Sequence, residues 1–239
     1  MIHIGTSGWH YKHWEGSFYP PGMPKKEYLN YYMKEFSTVE INNSFYQMPK
    51  ESTLRNWRKT VPPKFVFAVK ASRYITHVKK LKNPSKGAGN FLNVIEHLGV
   101  KLGPILFQLP PGWKCNRERL KEFLEYLPQK YRYAFEFRNA DWFHTEVVDL
   151  LRQHHCAFCI YDLDRHLSPL EVTTDFVYIR LHGPGKAYQG SYDENALKEW
   201  AQKIMVWKKE KKDIYCYFDN DQAGYAVQNA IKLKQMIEK

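Results

Sequence analysis

The stretch YIRLH, residues 178–182, decides the fold. Side chains alternate between the two faces of a β-strand, so Arg180 and His182 share one face while isoleucine and leucine occupy the other. The stretch FEFR, residues 135–138, repeats this arrangement with two phenylalanines opposite a glutamate and an arginine. A strand with one apolar face and polar residues near its C-terminal end is typical of (β/α)8 barrels, which build their sites at that end.

Eight β-rich runs of this kind recur along the chain, about 30 residues apart, and alternate with segments of helical periodicity. They begin near Ile2, Thr38, Phe65, Pro104, Tyr133, Ala157, Phe176 and Ile214. This spacing predicts an α/β fold, a TIM-type (β/α)8 barrel formed as a single domain by residues 1–239. The interval between the sixth and seventh runs is short and contains Ser168-Pro169, so we expect an irregular connection there.

Composition excludes a membrane-spanning protein and suggests an anionic partner. The chain has 239 residues and a net charge of +11, and no apolar run reaches the roughly 20 residues that a spanning helix needs. The N-terminal residues do not form a secretory signal, so we expect a cytoplasmic protein with no membrane partner. A basic protein of this kind favours an anionic small molecule or nucleic acid as its partner, although a solvated basic surface is a common alternative.

The candidate site follows from the strand ends, because seven of the eight runs, all but the first, end in ionisable or strongly hydrogen-bonding groups. We predict catalytic roles for five of these side chains: Glu40, Lys70, Glu136, Asp162 and His182. We predict substrate contacts from eight others: Trp9, Tyr46, Gln108, Arg138, Trp142, Arg180, Asn220 and Asp221. The alternative is a closed salt-bridge network in which the carboxylates pair with the lysine and the arginines. Recurrence at nearly every strand end favours a functional mouth.

Long motifs in a fixed order resemble the YecE-like family, a domain-of-unknown-function family of barrel proteins. The motifs are GTSGWHYKHWEGSFYP from Gly5, TVEINNSFYQMP from Thr38, FAVKASRYITH from Phe67, LGPILFQLPPGW from Leu102, FEFRNADWF from Phe135, YIRLHGPG from Tyr178 and YFDNDQAGYAVQNA from Tyr217. They cover nearly the whole chain, and Asp219 stands where the family often has asparagine. The resemblance implies a (β/α)8 barrel and brings no reaction, cofactor or substrate with it.

Three functions are compatible with these residues. The first is a hydrolase, phosphodiesterase-like, in which carboxylates and His182 act as acids and bases while Arg138 and Arg180 neutralise phosphate. The second is a lysine-dependent lyase or aldolase-type enzyme with Lys70 as the Schiff-base nucleophile, although such a lysine is more often a charge partner for Glu40 or Glu136. The third is a non-enzymatic protein that binds single-stranded nucleic acid by charge and stacking.

The sequence predicts no metal ligand set and identifies no cofactor. A divalent metal is compatible with the oxygen and imidazole donors. We do not expect a bound metal, because Lys70, Arg138 and Arg180 place three positive charges among the carboxylates and disfavour a dense metal cluster. The oligomeric state cannot be inferred from these patterns.

Overall fold

Eight parallel strands form a nearly closed barrel in a computed structural model that describes residues 1–238. The barrel strands are β1 (Ile2–Thr6), β2 (Thr38–Ile41), β3 (Val66–Lys70), β4 (Leu102–Leu109), β5 (Tyr133–Phe137), β6 (Ala157–Leu163), β8 (Phe176–Leu181) and β9 (Asp213–Phe218). A two-residue strand, β7 (His166–Leu167), pairs antiparallel with the end of β6. The predicted barrel class is therefore confirmed, and the strand starts agree with the predicted runs to within two residues.

The barrel closes between β1 and β2, where pairing is reduced to a short contact. The backbone N–H of Gly8 donates to the carbonyl of Glu40 at 2.9 Å, and Ser7 forms a parallel bridge with Glu40. A Cβ atom on Gly5 would lie 2.4 Å from the carbonyl oxygen of Thr38. Glycine at this position therefore permits the close approach of β1 and β2 that closure requires.

Within the described residues, seven α-helices surround the strands. They are α1 (Tyr28–Glu35), α2 (Glu51–Thr60), α3 (Pro84–Ile95), α4 (Arg117–Tyr126), α5 (Thr145–Gln153), α6 (Glu194–Lys209) and α7 (Tyr225–Glu238). No helix lies between β6 and β8 among these residues, where β7 and an extended segment make the connection, as predicted. A π-helical segment (Tyr74–Val78) lies in the connection that leaves β3.

The core has two layers, which fix the direction of each strand residue. The larger cluster lies between strands and helices and contains Phe135, Phe137, Ile179 and Leu181. The smaller one fills the barrel interior with side chains from alternate positions: Ala68, Leu106, Ala134, Ala157, Cys159, Phe176, Tyr178, Tyr215 and Tyr217. The polar faces of YIRLH and FEFR therefore point into the barrel, as the alternation predicts.

The structure also shows the state of the cysteines and the length of the apolar helices. All four cysteines are free, and Cys156 and Cys159 belong to different core layers. Within residues 1–238, no helix is long and apolar enough to cross a membrane.

Candidate active site

Arg180 on β8 is the centre of a buried ion-pair network at the C-terminal ends of the strands. Its Nε and Nη2 donate to the two carboxylate oxygens of Glu40 on β2, at 3.0 and 2.8 Å. Its Nη1 donates to Glu136 on β5 at 3.0 Å, and its Nη2 also donates to Asp219 after β9 at 2.9 Å. Arg180, Glu40 and Glu136 are fully buried. One guanidinium thus connects side chains from four strands.

His182 and Arg138 extend this network toward the mouth. Arg138 Nε donates to Glu136, and Arg138 Nη2 donates to His182 Nε2 at 2.9 Å. Because arginine only donates, Nε2 of His182 accepts and the ring proton is placed on Nδ1. Nδ1 lies 3.1 Å from a carboxylate oxygen of Asp219, although the geometry of this contact falls short of a hydrogen bond.

The arginines hold the carboxylates in their charged form. Burial raises the pKa of Glu136, but Arg138 and Arg180 outweigh burial and keep this pKa well below its ordinary value. Burial also raises the pKa of Asp219, but the charge of Arg180 and the proximity of His182 outweigh burial and lower this pKa below its ordinary value. A carboxylate stabilised in this way is a weak base. These carboxylates and arginines therefore form the closed salt-bridge network that we considered as the alternative to a functional mouth.

A cavity of about 500 Å³ lies at the mouth beside this network. Its wall is formed by Phe45, Tyr46, Lys70, His77, Gln108, Pro111, Arg138, Tyr161, Leu163, Asp164, His166 and Tyr188. The carboxylates of the network are absent from this wall, whose acidic side chain, Asp164, is exposed at the rim. The buried part of the wall carries Lys70 and Arg138, so it presents positive charge to a ligand.

Lys70 is the buried cation that the network leaves unpaired. The residue is 7% exposed, and its Nζ lies 4.4 Å from the centroid of the Phe45 ring. Among residues 1–238, no oxygen accepts a hydrogen bond from Nζ and no carboxylate lies within ion-pair distance. Burial lowers the pKa of Lys70 to about 8, and the charge of Arg180 adds to this effect.

His77 reaches the same cavity from the π-helical segment that follows β3. Its Nδ1 lies 2.9 Å from the hydroxyl of Thr76, and its ring packs edge-on against Phe45. Burial and the nearby cations Arg73 and Lys70 lower the pKa of His77 to about 4, so the ring is neutral at pH 7. Short π-helical turns are frequent at functional sites.

A second, more apolar cavity of about 400 Å³ lies on the other side of Tyr46. Trp9 and Trp57 pack edge to face within it, with ring centroids 4.9 Å apart. Tyr46 is 81% exposed and lines both cavities. The aromatic residues Trp9 and Tyr46, which we predicted as substrate contacts, therefore flank the mouth and lie apart from the ion-pair network.

Four of the predicted site residues lie neither in the ion-pair network nor in the wall of either cavity. Asp162 follows Ile160 on the outer face of β6 and lies beside Tyr192. Trp142 is fully buried behind β5, where its ring stacks on Phe137. The other two are Asn220, which donates to Gly190 and Asn229, and Asp221, which accepts from the indole of Trp14 at 2.7 Å.

Sequence reasoning missed several side chains that the structure places at the mouth. The hydroxyl of Ser7, just after β1, donates to Glu40, so the first strand also contributes to the network. Tyr161 occupies the inward position on β6, and Tyr188 packs edge-on against His182. The motif that contains Ser7 was visible in the sequence, but hydroxyl and aromatic groups gave no sign of which face they occupy.

No group of three or more histidine, cysteine, aspartate or glutamate side chains in the described chain is disposed to hold a metal ion. The acidic side chains of the network instead receive arginine donors. The predicted absence of a metal ligand set remains a prediction.

Comparison with known proteins identifies relatives over the full length of the chain. Residues 3–239 match the model of a family described as "Protein of unknown function DUF72". The protein YunF of Bacillus subtilis is 24% identical over 273 aligned residues, which cover 100% of this chain and 94% of YunF. The protein YecE of Escherichia coli K12 is 28% identical over 60% of this chain and 50% of its own length.

Solved structures give the same result. A DUF72 family protein from Thermotoga maritima superposes with a TM-score of 0.90 at 31% identity, and the alignment covers both chains completely. A DUF72 family protein from Enterococcus faecalis has a TM-score of 0.83 at 19% identity, which shows the fold alone. The resemblance to YecE-like proteins is thereby confirmed.

Proposed function

We propose that this chain, which belongs to the DUF72 family of proteins of unknown function, is an enzyme that binds a small anionic substrate in the cavity at the strand ends. The arrangement of charge supports this proposal. Lys70 and Arg138 line the cavity, whereas Glu40 and Glu136 are fully buried behind them. A ligand in the cavity therefore meets cations first. The group best suited to them is a phosphate or a carboxylate, which accepts charge-assisted hydrogen bonds.

The size of the cavity favours a small molecule. A volume of about 500 Å³ lies within the range of sites for metabolites and cofactors. Gln108 on β4 adds an amide to the wall, and Tyr161 and Tyr188 add ring edges and hydroxyls. These groups suit a polar metabolite that carries hydroxyl or carbonyl groups beside its anionic one.

Hydrolysis of a phosphate-containing substrate, the reaction predicted first from the sequence, receives less support than anion binding does. A general base must be free to accept a proton near neutral pH. Glu136 and Asp219 are held by arginines, which lower their pKa values. Of the two imidazoles on the cavity wall, His77 is also a weak base, because burial lowers its pKa to about 4, so a hydrolytic mechanism would use His166.

A second candidate function, binding of single-stranded nucleic acid, rests on one further observation. Lys80 and Lys82 follow β3 on the same end of the barrel as the cavity and are exposed, and the ammonium of Lys79 lies 5.3 Å from the Tyr74 ring centroid. Lysines interleaved with aromatic rings are the elements that bind a single strand.

Binding of inorganic pyrophosphate, measured by isothermal titration calorimetry at low salt, tests the anion site. We expect the Lys70→Met and Arg138→Met variants each to bind at least tenfold more weakly, because each loses one charge-assisted contact worth about 1.5–3 kcal/mol. The control is Lys121→Met, which removes the same charge from the exposed face of α4. Equal affinity in all three variants and the parent protein would contradict the proposal.

A further inference from the structure

We propose that Lys70 is the catalytic nucleophile of this site and that its amine adds to the aldehyde or ketone carbonyl of an anionic substrate. This inference rests on the proposed anion site, because Arg138 is the group that would hold the anionic end. It narrows the substrate to a carbonyl compound bearing a phosphate or a carboxylate.

The environment of Lys70 differs from that of three other buried or half-buried lysines, Lys101, Lys212 and Lys234. The ammonium of Lys101 donates to the carbonyl of Pro62, Lys212 donates to Thr174, and Lys234 donates to Glu35. The Nζ of Lys70 instead faces the Phe45 ring and the cavity. A lysine kept for stability would have an oxygen partner, since an unpaired buried ammonium is costly.

The neighbouring charges explain why the amine remains free. The charges of three carboxylates, those of Glu40, Glu136 and Asp219, act to raise the pKa of Lys70. Each of these carboxylates accepts a hydrogen bond from Arg180. The other titratable groups on the cavity wall are His77, Arg138, Asp164, His166 and the phenols of Tyr46, Tyr161 and Tyr188. The arginines thus occupy the acceptors that would otherwise pair with Lys70, and burial increases the fraction of its neutral amine at pH 7–8.

The reaction step balances without any further reactant. The ammonium first releases a proton to solvent, and the nitrogen lone pair then forms a bond to the carbonyl carbon while the carbonyl π electrons move to oxygen. The resulting carbinolamine expels its oxygen as water, and the imine takes back one proton. The net change is ammonium plus carbonyl giving iminium plus water. The iminium keeps the positive charge of Lys70, so the wall stays cationic toward the bound anion.

Reductive trapping tests the inference directly. The protein is incubated with glyceraldehyde 3-phosphate or pyruvate, sodium cyanoborohydride is added, and adducts are mapped by mass spectrometry of peptides. At substoichiometric labelling we expect the Lys70 peptide to carry at least tenfold more adduct than the peptides containing Lys80 or Lys82, which are exposed. The Lys70→Arg variant should lose this adduct, whereas Lys121→Met should retain it. Adducts spread evenly over the surface lysines would overturn the inference.

A second measurement uses the unmodified protein and does not depend on a variant folding. The rate of reductive methylation of Lys70 by formaldehyde should reach half its maximum near pH 8, because burial lowers the pKa of this amine to about 8. The reference is a lysine in a short model peptide, whose pKa is about 10.4. Coincident pH profiles would overturn the inference.

The two proposals fail in different ways. Trapping with glyceraldehyde and with glyceraldehyde 3-phosphate compares a neutral and an anionic carbonyl on the same amine. Equal trapping of both at Lys70 supports the nucleophile and overturns the anion site. Binding of pyrophosphate that depends on Arg138, without any adduct at Lys70, supports the anion site and overturns the nucleophile.

Discussion

Lys70 lowers the stability of the fold that holds it. The fall of its pKa from the ordinary 10.5 to about 8 corresponds to roughly 3 kcal/mol of destabilisation. The sign follows from proton binding, because the folded protein holds the Lys70 proton less tightly than the unfolded chain does. The cost is complete below pH 8 and is relieved as the pH rises from 8 to 10.5.

We therefore expect Lys70→Met to stabilise the protein at pH 7, by about 1–3 kcal/mol, since methionine fills the stem volume without a charge. Urea denaturation at pH 7 and at pH 10 measures this, and the gain should shrink at the higher pH. The control is Lys101→Met, which removes the donor to the carbonyl of Pro62 and should destabilise the protein. A loss of stability in Lys70→Met at both pH values would contradict the interpretation.

Single residues also show where sequence reasoning stops. Alternation correctly put Glu136 and Arg138 on one face and predicted that they point into the barrel. On β6, alternation also placed Asp162 and Tyr161 on opposite faces. We expected the charged Asp162 to face the cavity, but Tyr161 faces it instead. The interior of this barrel contains aromatic rings as well as ions, such as Tyr178 and Tyr217, so polarity alone cannot distinguish the two faces.

At the scale of the strands, Arg180 connects elements on opposite sides of the barrel through ion pairs. It joins β8 to Glu40 on β2, to Glu136 on β5 and to Asp219 after β9. Its removal by Arg180→Met would leave the carboxylates buried without this cation. We expect a loss of about 3–5 kcal/mol, which lowers the melting temperature by roughly 10 °C in a chain of this length.

Differential scanning calorimetry checks this, with Arg152→Met as the control. Arg152 pairs with Asp149 and Glu171 on the surface, so its loss should change stability by no more than about 1 kcal/mol. Adding Glu40→Gln to Arg180→Met should restore part of the stability, because it removes one uncompensated charge. A double variant that is less stable by the sum of the two single losses would argue against a buried network.

The elements themselves were predictable because their signals are local. Each barrel strand is a short apolar run, and the spacing of about 30 residues fits one strand and one crossover helix. The missing helix between β6 and β8 was predictable from Ser168-Pro169 and the short interval. The residues of the cavity wall were not predictable in this way. Phe45, His77 and Tyr188 lie on connections whose path depends on tertiary packing.

The net charge of +11 is distributed over both ends of the barrel. Lys80 and Lys82 lie in the connection that leaves β3, at the end that carries the cavity. Lys208 and Lys209 lie where α6 ends before β9, at the opposite end. These pairs are exposed and carry equal charge, so comparing them distinguishes a specific anion-binding surface at the mouth from general attraction to a basic protein.

Binding of a labelled oligothymidylate across a range of salt concentrations makes this comparison. If a single strand follows the mouth, Lys80→Ala with Lys82→Ala removes two phosphate contacts, and the slope of log K against log salt falls by about 2. The matched pair Lys208→Ala with Lys209→Ala should leave that slope unchanged. Equal changes in both pairs would show that the net charge alone attracts the strand, and the nucleic-acid function would then lose its one structural support. Affinity that is unaffected by salt would contradict an electrostatic surface at either end.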